Sequence, residues 1–238
     1  MGDGVRFSSA GPLSLFAIVL LVALLILIVP LLILGVIGAA FTRLGFSWIS
    51  ALAIVFLMLF GSFVNIPVYK IRRDMIRIAP PDSSVFGEYG QRTPSPVWDT
   101  TITINLGGAV IPVAVSLYMI YQAILITGTS LQFSVCAGII LVAAITYVST
   151  RSVPGSGIQV SLLIPGLAAL LSGLLLSGGT GLAAAVTAFA GGIFGTLLGG
   201  NIARLFRLKD LDVPSLSIGG AGTFGAVFIC CILPALIA

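Results

Sequence analysis

The stretch Ile104-Asn105-Leu106-Gly107-Gly108-Ala109-Val110-Ile111-Pro112 lies inside an apolar run, yet it carries an amide, two adjacent glycines and a proline. All of these weaken a helix. In a membrane they persist where neighbouring protein covers the backbone or where the backbone lines a cavity. The approach to it, Thr101-Ile102-Thr103-Ile104-Asn105, alternates in the manner of a strand. A lone strand leaves its polar backbone unpaired in lipid, so a helix with loosened first turns is expected. The motif returns near the end of the chain as Ser217-Ile218-Gly219-Gly220-Ala221.

The surroundings are those of a membrane chain. Of its 238 residues, 58% are hydrophobic and 8% charged, with a mean hydropathy of +1.22. A spanning helix needs about 20 mostly apolar residues, and seven such runs are present. They cover Pro12 to Ala40, Trp48 to Tyr69, Thr101 to Ile126, Leu131 to Thr150, Gln159 to Ser177, Leu182 to Ile202 and Val213 to Ala238. The first is too long for a signal-peptide core and is expected to be a retained anchor, kinked at Pro30. The only long polar segment, Lys70 to Thr100, is broken by Pro80, Pro81, Pro94 and Pro96. At most one short interfacial turn, over Ile71 to Ile78, is expected there. The fold class expected is an all-α polytopic bundle forming a single membrane domain over residues 1–238.

The net charge of +4 comes from residues in loops and carries no nucleic-acid signature. Ten of the eleven Lys and Arg fall in loops on the N-terminal side, with Arg43 alone opposite. The excess of basic residues in cytoplasmic loops then puts the N-terminus inside and the C-terminus outside. Histidine is absent, and Cys136, Cys230 and Cys231 lie in apolar runs without metal-ligand spacing. Neither cofactor nor metal is expected. The partners expected are the lipid bilayer and a small solute.

The first three spans resemble the last three. Ile28-Val29-Pro30 matches Leu163-Ile164-Pro165, Asn65-Ile66 matches Asn201-Ile202, and Gly107-Gly108-Ala109 matches Gly219-Gly220-Ala221. Two of the three asparagines thus occupy one repeat position. The expected arrangement is 3+1+3, with repeats over residues 12–126 and 159–238 and a linker helix over 131–150. Parallel repeats of this kind occur among secondary transporters.

Three segments carry a family resemblance: Gly61-Ser62-Phe63-Val64-Asn65-Ile66-Pro67, Asn105 to Pro112, and Ser217-Ile218-Gly219-Gly220-Ala221-Gly222-Thr223-Phe224. Together they resemble a group of prokaryotic integral membrane proteins catalogued as a domain of unknown function. Some members carry an acidic residue after the Thr-Phe pair, where this chain has Gly225. The resemblance implies the multi-pass architecture over nearly the whole chain and brings no established activity.

The polar residues at matching depth form the candidate substrate site: Asn65, Asn105, Gly107, Gly108, Asn201, Ser217, Gly219 and Gly220. The competing explanation is hydrogen bonding between helices, each bond worth about 1 kcal/mol. Asp99 and Asp212 precede the third and seventh spans and form a second candidate, a carboxylate pair, for which helix capping is the plain alternative. Leu233-Pro234-Ala235-Leu236 resembles the Pro-Ala-Leu element of intramembrane aspartyl proteases, but the Tyr-Asp and Gly-x-Gly-Asp settings of their aspartates are missing. The function expected is therefore a transporter or permease for a small solute. An intramembrane hydrolase and a non-catalytic assembly subunit are the alternatives.

Overall fold

The computed structural model describes residues 12–71, 100–127, 131–153, 157–205 and 215–237. It is mainly helical, with apolar helices at each of the seven runs. Four of them are long and apolar enough to cross a membrane, at Ile18–Ala39, Leu106–Ile126, Leu131–Ser149 and Leu182–Leu205. Three are shorter: Trp48–Gly61, Ile164–Leu176 and Phe224–Ala235. At 1.5 Å per residue these three reach only about 18–21 Å, against a hydrocarbon core of about 30 Å.

The difference in length is made up of strands, which corrects the all-α expectation. Helix α1 (Pro12–Arg43) turns into α2 (Trp48–Gly61), whose start is capped by the Ser47 side chain accepting from the Ser50 N–H. The chain then enters strand β1 (Asn65–Ile71), not a continued helix to Tyr69. Thr100–Asn105 forms β2, where a loosened helical turn was expected. It passes through a π-helical turn, Leu106–Val110, into α3 (Ile111–Thr127). Helix α4 (Leu131–Ser149) leads to a small hairpin of β3 (Arg151–Val153) and β4 (Gly157–Gln159), and then to α5 (Ile164–Leu176). Helix α6 (Leu182–Thr196) ends in a second π-helical turn, Leu197–Ile202, and a final helical turn, α7 (Ala203–Leu205). Strand β5 (Ser215–Ile218), α8 (Phe224–Ile232) and a 3-10 turn (Leu233–Leu236) close the described chain.

The physical reason for the correction lies in strand pairing. Strand β2 is not alone: it sits between β1 and β5, antiparallel to the first and parallel to the second. Asn65 pairs with Asn105 and Thr101 with Ser215, so both edges of β2 are hydrogen-bonded and its backbone needs no water. The outer strand β1 carries a register shift between Pro67 and Tyr69, as expected where proline interrupts an edge strand.

The core is organised around α6. Its face-to-face neighbours α4, α5 and α8 approach closely because Ala184, Ala185, Ala188, Ala190, Gly191 and Gly192 are all buried along it. Small residues permit this where no hydrophobic force drives helices together. Phe41 of α1 meets Phe189 of α6 edge to face at 6.1 Å, tying the end of the first helix to the core. The preceding part of α1 is exposed, Ile26 at 70% for example. The five strands of the described residues gather at one end of the bundle. The turn at Leu44–Gly45 sits beside Leu182 and Ile126 at the other end, where Gly181 N–H also donates to the Ile237 carbonyl.

Candidate functional site

Where the strands hand over to helices, the sequence-predicted polar residues come together. Asn105, 1% exposed, ends β2 and turns its side chain into the junction. Its Oδ1 accepts from the Gly108 N–H at 2.7 Å, capping the π-helical turn. Its Nδ2 donates to the Ser62 carbonyl at 2.6 Å and to Asn65 Oδ1 at 3.1 Å. The Ser217 hydroxyl donates to the same Asn65 oxygen at 2.6 Å, so Asn65 Oδ1 joins all three strands. Asn65 itself is an exposed residue.

The two Gly-Gly sites touch. A Cβ on Gly108 would run into the carbonyl oxygen of Gly219, and one on Gly107 into the Met58 carbonyl. Gly219 has φ +74°, a left-handed conformation that glycine adopts without a Cβ penalty. This turn places the Gly219 carbonyl against Gly108, and Gly220 N–H then bonds back to the Ser217 carbonyl at 3.3 Å. Both segments run strand, Gly-Gly, helix, and their strands β2 and β5 pair in parallel.

Asn201 does not share the setting of Asn65. It is 1% exposed and sits in the π-helical turn at the end of α6, whereas Asn65 opens an edge strand. Its Nδ2 donates to Thr223 Oγ1 at 3.1 Å, and its Oδ1 has no hydrogen-bond partner. The turn Gly219–Thr223 links it to the rest: Thr223 N–H donates to the Gly220 carbonyl at 2.8 Å, and Val160 N–H donates to Gly222 at 2.9 Å. Three strand-to-helix junctions, after β2, β4 and β5, thus meet in one place.

Some participants escaped the sequence reading. Arg204 closes the end of α4, donating through Nη2 to the Tyr147 and Thr150 carbonyls at 2.7 and 2.6 Å while lying 5.1 Å over the Tyr147 ring. A basic residue at a helix C-terminus is favoured by the helix dipole, but its partner helix lay too far away in sequence to be named. The π-helical turns were signalled only by an asparagine next to a Gly-Gly pair, Gly199-Gly200-Asn201 and Asn105-Leu106-Gly107-Gly108. Asp99 and Asp212 lie outside the described residues, as do most of Lys70 to Thr100 and the short turn expected at Ile71 to Ile78. The Pro-Ala-Leu segment forms the 3-10 turn at the end of α8 away from β5. Among the described residues no cluster of His, Cys, Asp and Glu could hold a metal.

The apolar helices and the apolar exposed surface fit a membrane protein. Within that class, the chain belongs to the family described as "Protein of unknown function (DUF1614)", which it matches over residues 59–237. No curated protein and no solved structure matches it.

Proposed function

We propose that the chain is a multi-pass membrane transporter for a small polar solute, held at the strand-to-helix junction and moved without chemical change. The observation that carries this reading is the Asn65–Asn105–Ser217 cluster, placed between the end of α2 and the starts of α3 and α8. Secondary transporters build their sites from discontinuous helices, because free helix ends and non-helical backbone supply hydrogen-bonding groups inside the membrane. The parallel strand–Gly-Gly–helix units fit a duplication. Asn65, which is exposed, and the half-buried Ser217 are the members of this cluster that reach the surface.

In this reading the seven helices alternate in direction, with the strand end in the cytoplasm. Reporter fusions after Arg92 and Lys209 should report cytoplasm, and fusions after Thr129 and Ala238 the outside. A C-terminus found inside removes the orientation.

Proteoliposomes holding the full chain, offered a panel of radiolabelled sugars, amino acids and organic acids, should accumulate at least one above protein-free vesicles. Asn65→Ala and Ser217→Ala should each slow that uptake by about tenfold, the value of one lost hydrogen bond of about 1.4 kcal/mol. Uptake of none, or wild-type rates in both variants, ends the transport reading. A stoichiometric co-purifying partner would then favour an assembly subunit.

A further inference from the structure

Buried polar pairs accompany α6 along its length. Ser177 Oγ donates to Thr187 Oγ1 at 3.0 Å near its start, Thr196 Oγ1 lies 3.5 Å from Cys230 Sγ, and Asn201 meets Thr223 in the π-helical turn. Asn201 is the one left incomplete, since its Oδ1 accepts nothing. An unpaired amide oxygen in an apolar interior costs about 1–3 kcal/mol. A bound group that brings positive charge to it is favoured by that amount and more.

The local field has the matching sign. Asn201 lies in the last turns of the helical segment Leu182–Leu205, the negative end of its dipole. Helix α8 starts opposite, but the Thr223 and Phe224 N–H groups are both taken up by the Gly220 carbonyl, at 2.8 and 2.7 Å. The guanidinium of Arg204, three residues further on, turns Nη2 to the carbonyls at the end of α4 and Nη1 to Ser152, while its Nε–H has no partner. The oxygens nearby are neutral: the unpaired Asn201 amide oxygen, the Thr223 hydroxyl that accepts from Asn201 Nδ2, and the main-chain carbonyls of the π-helical turn, of which those of Leu198 and Asn201 also accept from the Ala203 N–H. Divalent cations usually require carboxylates. Neutral oxygens at broken helices suit a monovalent one.

We propose that Asn201 Oδ1, the Thr223 hydroxyl and carbonyls of the turn Leu197–Ile202 bind Na+. The site stands on its own geometry and is tested without any solute, so its failure and that of the transport reading are separate. The purified full chain in detergent is melted in Na+, in K+ and in choline at equal ionic strength. Na+ at about 100 mM should raise the apparent melting temperature by about 4 °C or more, with a half-maximal effect on the order of 1–10 mM. K+ should do less. Asn201→Leu should remove the response and Thr223→Val should shift its midpoint upward by about tenfold, one lost oxygen ligand being worth about 1.4 kcal/mol. If Asn201→Leu does not fold, Thr223→Val alone decides. Equal melting in Na+ and choline overturns the site, as a water molecule would then suffice at Asn201. An unchanged Na+ midpoint in Thr223→Val overturns it as well.

Discussion

Alanine at Gly108 should leave almost no folded protein. The added methyl would strike the Gly219 carbonyl. Neither side can yield, since Gly108 is fixed by the Asn105 cap and Gly219 follows directly on a strand paired with β2. Overfilling a tight contact usually costs about 1–3 kcal/mol when side chains can shift; against backbone on both sides, at least the upper value is expected. Gly35→Ala provides the control, because a Cβ there meets nothing within 4 Å. It should keep or slightly improve stability, alanine being the better helix former by up to about 1 kcal/mol. The measurement is monodisperse yield and apparent melting temperature in detergent. Wild-type behaviour of Gly108→Ala would show that the two Gly-Gly sites do not touch.

Asn105→Ala comes next in size. It removes the oxygen that caps Gly108 and the amide that serves the Ser62 carbonyl and Asn65. Two backbone groups are left without partners, each costing about 1–3 kcal/mol where water cannot reach. A loss of about 2–4 kcal/mol, or roughly 5–15 °C in melting temperature, follows for a chain of this size. Asn105→Asp should not rescue it, because a carboxylate offers no donor to the Ser62 carbonyl and faces the Asn65 oxygen. Asn65→Ala, at an exposed amide, should cost far less. Equal losses at the two positions would mean that the cap on Gly108 does not stabilise the junction.

The residues of this junction were legible in the sequence, because amides, serine and paired glycines stand out in an apolar run. Their geometry was less so. Strands and buried helices are both apolar here, so run length overstated three helices: the run Val213 to Ala238 contains a four-residue strand, a turn and α8. The alternation over Thr101–Asn105 did signal a strand. The partners that make a strand tolerable in a membrane, Asn65–Ile71 and Ser215–Ile218, are themselves apolar and continuous with helical runs, so the pairing does not show in the sequence. The match of Asn65 with Asn201 fared differently. Neighbouring residues agree, but one asparagine follows a helix end and the other lies within a π-helical turn, which nothing in the identity of the residues distinguishes.

The parallel pairing of β2 with β5 also sets the order in which the chain can be completed. Thr101 leaves the ribosome about 110 residues before Ser215, an interval of roughly 5–20 s at ordinary rates of synthesis. Throughout that time β2 has β1 on one side and an unfilled edge on the other, while α3 to α6 are already being inserted. The junction therefore cannot close until β5 has been made, more than a hundred residues after β2.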